Sequence, residues 1–85
     1  MEVVKTNDFS RAFQKLPKEI KRLYAIQEIR FRENWRDPRL HIKKVRTLPS
    51  AFSLRITRRY RVFLYFKTTT AAVFFDVDHR KDIYD

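Results

Sequence analysis

The 85-residue chain contains no glycine and no cysteine, only three prolines, one tryptophan and one methionine, and half as many acidic as basic side chains. Without glycine, a phosphate-cradling P-loop and a dinucleotide-binding turn are both excluded, because each needs backbone positions that only glycine fits. Without cysteine there is no disulfide staple and no thiolate metal site, so packing alone must hold the fold. No apolar run approaches the length of a membrane span, and Met1-Glu2-Val3-Val4 has neither the basic start nor the apolar middle of a signal peptide. A cytoplasmic protein is expected. Residues 1–85 suit one domain whose modest core buries about 60–65% of the surface of the unfolded chain.

What the chain has in excess is positive charge. Twenty Lys and Arg against ten Asp and Glu give +10, and twelve of the twenty are Arg, the side chain suited to bidentate phosphate contacts and base stacking. That balance points to a polyanion or to an acidic protein partner that covers the charge. A solvated basic surface tuned for solubility is the plain alternative.

Residues 52–66 organise the rest. Phe52, Leu54 and Ile56 recur at every second position, as do Val62, Leu64 and Phe66, so each run can bury one face of a strand. The opposite face then carries Ser53, Arg55 and Thr57 on the first strand and Arg61, Phe63, Tyr65 and Lys67 on the second, a basic and aromatic surface of the kind that binds single-stranded nucleic acid. Thr57-Arg58-Arg59-Tyr60 lacks the Gly, Asn or Asp of a tight two-residue turn, which predicts a longer or bulged hairpin loop.

Upstream, Glu2 to Lys5 is a short β-branched run ending in a polar stretch. Asp8, or Asn7, is expected to cap a helix with the apolar stripe Phe9, Ala12, Phe13 and Leu16. Pro17 interrupts and suits the start of a second helix, whose stripe is Ile20, Leu23, Tyr24, Gln27 and Phe31. Ile26 and Ile29 fall outside that arc. They are expected to widen the buried face, the alternative being an apolar patch for a partner helix. Pro38 closes the segment by biasing Asp37 away from helix.

A short edge segment is expected around Ile42 to Val45, with Lys43, Lys44 and Arg46 as phosphate grips. A last strand, Ala71 to Asp78, is expected to point Val73, Phe75 and Val77 inward and Phe74, Asp76 and Asp78 outward. The predicted fold class is therefore α+β, an N-terminal strand and helical hairpin packed on a twisted, mostly antiparallel four-stranded sheet.

His41 and His79 among scattered carboxylates make no recognisable metal spacing, and nothing resembles a nucleophile elbow. What remains is metal-free chemistry on phosphate, with no cofactor. Cutting RNA that way requires aligning a 2′-hydroxyl on the adjacent phosphate, neutralising the charge of the pentacoordinate state and moving two protons. Arg55 and Arg61 on neighbouring strands can supply charge, while His79, Arg80 and Tyr84 follow the last strand and can complete a pocket. Tyr60, Tyr65 or Phe74 can stack bases, and Arg58 and Arg59 on the hairpin loop can hold phosphates. The plain alternative pairs Arg55 and Arg61 with Asp76 and Asp78 across the sheet. His41 reads as a surface side chain.

Four stretches resemble one family: Phe9-Ser-Arg-Ala-Phe-Gln-Lys-Leu-Pro-Lys-Glu-Ile20, Phe31-Arg-Glu-Asn-Trp-Arg-Asp-Pro-Arg-Leu-His41, Leu54-Arg-Ile-Thr-Arg-Arg-Tyr-Arg-Val62 and His79-Arg-Lys-Asp-Ile-Tyr84. Together they are similar to the RelE/ParE toxin superfamily of type II toxin–antitoxin modules. The resemblance implies a metal-independent endoribonuclease that cuts messenger RNA on the ribosome by 2′-hydroxyl attack, leaving a cyclic phosphate. It implies that Arg61 and Arg80 stabilise the phosphate and leaving group, and that Tyr84 serves as general base or orients the nucleophile, with His79 as the other candidate for the proton. Arg55 stands near a catalytic lysine of RelE and, being arginine, would supply charge and not a base. The implied partners are an acidic antitoxin, the ribosome and messenger RNA, with the free toxin a monomer and no membrane involved. Two other readings share the fold: a ParE-like inhibitor of DNA gyrase, and an inactive homologue kept for its antitoxin contact.

Overall fold

The computed structural model describes residues 1–79, the last of them by its backbone alone. A first strand, β1 (Glu2–Lys5), leads into helix α1 (Asn7–Gln14) and helix α2 (Lys18–Glu33). After a 3-10 turn at Pro38–Leu40 come β2 (Lys43–Lys44), β3 (Phe52–Arg55), β4 (Tyr60–Thr68) and β5 (Ala71–His79). These form one sheet in the order β1-β5-β4-β3-β2, parallel only between β1 and β5 and antiparallel elsewhere. The helical hairpin carries the chain from β1 at one edge of the sheet to β2 at the other, and the antiparallel run β2-β3-β4-β5 returns to lie beside β1. The α+β architecture matches the expectation. Its sheet has a fifth strand because the basic edge segment pairs through Lys43 and Lys44 with Ser53 and Phe52.

The first helix is capped by Thr6, not by Asn7 or Asp8. Its Oγ1 accepts from Phe9 N at 3.1 Å and donates to the Phe75 carbonyl at 3.4 Å, while its backbone N–H donates to the Phe74 carbonyl. A hydroxyl can accept and donate at once, which an aspartate carboxylate cannot, so Thr6 closes both the helix and the end of the β1–β5 ladder. Asp8 is left in the first turn, where its charge suits the helix dipole and pairs with Arg11. Pro17 sits at the N-cap of α2, extended at ψ 150°, so its missing N–H costs no intrahelical bond.

Both helices pack on one sheet face. Phe9, Tyr24 and Phe31 from the helices meet Leu54, Val62, Leu64 and Phe74 from the sheet. Aromatic rings dominate the contact: Phe74 lies 5.9 Å from Phe9 and 5.2 Å from Phe31, and Phe66 lies 4.8 Å from Trp35. Edge-on and tilted rings at these distances add to what area burial supplies.

The strand faces follow the predicted alternation in β3 and β4 and depart from it in β5. Leu64 is opposite Phe74 but Phe63 is opposite Asp76, so Phe75 is the extra residue of a β-bulge. The bulge shifts the period by one. Phe74 is therefore fully buried beneath the helices, and Phe75 joins a small cluster on the other face with Val45, Ala51, Phe63 and Leu48. Val73, opposite Tyr65, also faces outward, whereas Val77 packs inward as expected. Phe74 is thus unable to stack a base. The second correction concerns α2: Ile26 and Ile29 do not widen the buried face but stand 40% and 59% exposed.

Candidate functional site

The hairpin of β3 and β4 sets the geometry of the basic face. Its loop spans residues 56–59, and Ile56 N and Thr57 N both donate to the Tyr60 carbonyl, at 2.9 and 3.3 Å. The loop is the longer one that the missing turn glycine predicts. Arg55 is the direct partner of Arg61 across the two strands. Because Ile56 donates to Tyr60, Arg55 and Arg61 form the adjacent, non-hydrogen-bonded pair, with Cα atoms about 4.5 Å apart and side chains at their closest approach.

Two like charges directly opposite each other destabilise a sheet. Here one of them is also buried: Arg61 is 5% exposed, and its Nη1 donates to Ser53 Oγ at 3.1 Å. Arg55 is half-buried, and its Nε is shielded from solvent with no hydrogen-bond partner among the described residues. A buried guanidinium N–H without an acceptor is costly unless something arrives to accept it. On the far side of Arg61 its strand partner is Asp78, so Arg55, Arg61 and Asp78 form one row across three strands. The chemistry of the row suits an anion with several oxygens, such as a phosphodiester, held by planar donor forks.

The remaining expected site residues are distributed around this row. Arg58 and Arg59 are exposed on the hairpin loop, with Arg59 N bonded to Thr57 Oγ1 at 3.2 Å. Lys43 and Lys44 are exposed on the edge strand, but their registers with Ser53 and Phe52 place only Lys43 on the face of Arg55 and Arg61. Arg46 is exposed in the following loop. Tyr65 shares the face of Arg61, is 42% exposed and lies 6.0 Å from the Phe75 ring, beside a cavity of about 300 Å³ lined by residues such as Leu48, Pro49 and Ala51. Tyr60 is half-buried at the start of β4. His79 ends β5 opposite Tyr60 by its backbone, and Arg80 and Tyr84 lie outside the described residues. His41 is exposed, in a left-handed conformation that closes the 3-10 turn.

Sequence reasoning passed over two polar side chains that the fold brings to the row. Ser53 stands on the predicted basic face, alternating with Arg55, and that alternation is the signal for its contact with Arg61. Gln27 read as one position of an apolar stripe, and a carboxamide in such a stripe was the clue to a buried bonding role. Elsewhere on α2, Tyr24 donates to Glu28 Oε1 at 2.6 Å, and Lys5 and Arg32 both pair with the same carboxylate at 2.9 Å. Burial raises the pKa of Glu28, but the hydrogen bonds from Lys5, Tyr24 and Arg32 outweigh it and hold the group below its ordinary range. Burial, reinforced by Glu28, pushes the Tyr24 phenol up, so this tyrosine stays neutral. The cluster braces α2 against β1, on the helical side of the sheet. Among the described residues no three His, Asp or Glu side chains group as metal ligands, and no helix is long and apolar enough to cross a membrane.

No family model and no curated protein matches the sequence. Solved structures do match. The toxin–antitoxin complex RelBE2 from Mycobacterium tuberculosis contains a chain 33% identical, aligned over 93% of this chain and 96% of that one with a TM-score of 0.66. The RelB–RelE antitoxin–toxin complex from Methanococcus jannaschii matches at 20% identity over 96% and 95% with a TM-score of 0.76. A YoeB/ParE toxin from Agrobacterium tumefaciens matches at 10% identity over 95% and 100%, again with a TM-score of 0.76.

Proposed function

The chain belongs to the RelE-like family of toxins from toxin–antitoxin modules, and we propose that it is a metal-independent endoribonuclease that cuts messenger RNA on the ribosome. The observation that carries this reading is the directly opposed Arg55 and Arg61, one guanidinium buried and the other with a buried N–H that has no acceptor among the described residues.

In the proposed reaction the 2′-oxygen of a ribose attacks the adjacent phosphorus. The bond to the 5′-oxygen breaks, and the products are a 2′,3′-cyclic phosphate and a 5′-hydroxyl. The 2′-hydroxyl gives up its proton to a base, and the leaving oxygen takes one up. Arg55 and Arg61 meet the charge that grows on the non-bridging oxygens, where fixed donors in a water-poor site are worth most. Neither can serve as the base. Tyr84 or His79 fills that role, and Arg80 adds charge at the leaving oxygen. Lys43, Arg46, Arg58, Arg59 and Tyr65 hold the strand, with Lys44 on the adjoining edge.

The proposed partner in the resting cell is an antitoxin, as the solved toxin–antitoxin complexes suggest, and the charge of this chain suits an acidic one. A net charge of +10 and the exposed Ile26 and Ile29 provide complementary driving forces. The protein is proposed to act in the cytoplasm.

Inducing the chain in cells and mapping the 5′ ends of translated messages tests the reading, with a gyrase supercoiling assay in parallel. New cuts inside codons that vanish when translation is blocked are expected. Lost supercoiling with intact messages would assign the chain to the gyrase-poisoning toxins instead.

A further inference from the structure

The arginine pair stands on β3 and β4, yet one side chain that fixes its geometry comes from α2. Gln27 lies on the buried stripe of that helix, 5% exposed, between Tyr24 and Phe31. Its Nε2 donates to the Arg55 carbonyl at 2.7 Å and to the Arg39 carbonyl at 3.0 Å, and its Oε1 accepts from Arg30 Nη1 at 2.9 Å. Two carbonyls on one side and a guanidinium on the other fix which way the amide points.

The register explains why the Arg55 carbonyl needs this partner. Residues of a non-hydrogen-bonded pair turn their backbone groups away from each other, so the Arg55 carbonyl points away from β4, to the side where β2 would lie. The pairing of β2 reaches only Ser53, two residues short. The carboxamide of Gln27 therefore takes the place of a missing strand at the point where β3 ends. In doing so it links α2, the 3-10 turn and the backbone of Arg55 through one fully bonded side chain.

We propose that Gln27 is a positioning residue of the arginine site: by anchoring the carbonyl of Arg55 it sets where the Arg55 guanidinium stands relative to that of Arg61. The role rests on the reading that the two arginines bind RNA phosphate. An apolar side chain would satisfy the helical stripe equally well, so the polar group at this position is accounted for by the strand end that it holds.

The test is a double-mutant cycle on the full chain. The probe is a short, fluorescently labelled single-stranded RNA with 2′-O-methylated riboses, which binds but cannot be cut by 2′-hydroxyl attack. Gln27→Met keeps the length of the side chain and removes its donors, and it is expected to weaken binding about fivefold when Arg55 is present and to change it little in the Arg55→Ala background, as coupled neighbours do. Thermal unfolding of the same variants reports the structural cost, which should be equal in both backgrounds. If Gln27→Met does not fold, Gln27→Asn is read instead, since it keeps a neutral amide but is one methylene shorter than the span to the Arg55 carbonyl. Equal losses of binding in both backgrounds, or no loss in a folded variant, would overturn the positioning role. If Arg55→Ala by itself leaves binding unchanged, or if the wild-type chain does not bind, the phosphate reading fails and the positioning role falls with it.

Discussion

The two faces of one sheet are made from alternate residues of the same strands, and they are finished to different standards. Under the helices, Leu54, Val62, Leu64 and Phe74 meet Phe9, Tyr24 and Phe31, and burial alone accounts for the arrangement. On the other face, Phe63 and Phe75 form a small apolar cluster beneath the chain from Val45 to Ala51. Beside them Arg55 and Arg61 are opposed, with a guanidinium N–H of Arg55 buried and without an acceptor among the described residues. The difference teaches where stability ends and function begins. A face shaped for folding is closed by apolar contacts, and a face shaped for a ligand can keep a donor such as Arg55 Nε ready for one.

The sharpest way to break this comparison is to truncate the two neighbours at the bulge. Phe74→Ala, which hollows the helical side, is expected to cost about 3–5 kcal/mol of stability. Phe75→Ala, on the half-buried side, should cost about 1 kcal/mol, roughly half of what full burial is worth. Chemical denaturation of both variants reads the ratio, and equal losses would mean that the two faces carry the fold alike.

Next in size is Arg61→Ala. It is expected to lower messenger cleavage by about 10²–10³-fold, the effect of removing one preorganised charge donor. Its circular dichroism and antitoxin binding should stay those of the wild type, because the main core lies under the helices on the other face. A fully toxic Arg61→Ala protein would remove the chemistry from this face.

Thr6→Ala removes the cap that joins α1 to the end of the β1–β5 ladder and should cost about 1 kcal/mol. Unfolding midpoints at fixed pH would show it, and a loss of that size without any change in cleavage would confirm that this cap acts on stability alone.

The smallest effect expected is the pH response of an ion pair at the 3-10 turn. Hydrogen bonds from the Arg39 side chain and backbone lower Asp37 from its ordinary 3.8 to about 2. Because the folded pKa is depressed, the contribution is fully present above the unfolded value. It is lost as pH falls from near 4 towards 2. Denaturant midpoints over that range should fall more steeply for the wild type than for Asp37→Asn, and added salt should shrink the gap.

Much of this was readable along the chain. The period of two in Phe52, Leu54 and Ile56 and in Val62, Leu64 and Phe66 placed the hairpin and its faces, and Pro17 divided the helices, because strand alternation and proline geometry are local properties. The cap moved to Thr6 because the competing signal was a contact to Phe75, far away in sequence. Phe74 and Phe75 exchanged faces because a bulge inserts one residue without any glycine or proline to announce it. Ile26 and Ile29 stayed outside because the width of a buried helical arc depends on what it packs against.

By itself, then, the sequence determined the elements, the basic excess and the candidate arginines, since charge and short-range periodicity are written residue by residue. Only the tertiary structure decided that Arg55 and Arg61 are direct strand partners, that one guanidinium is buried against Ser53, and that Gln27 reaches from a helix to hold the end of β3. Register and burial depend on which distant groups meet. A chain without glycine, cysteine or long apolar runs can bring such groups together only through its packing.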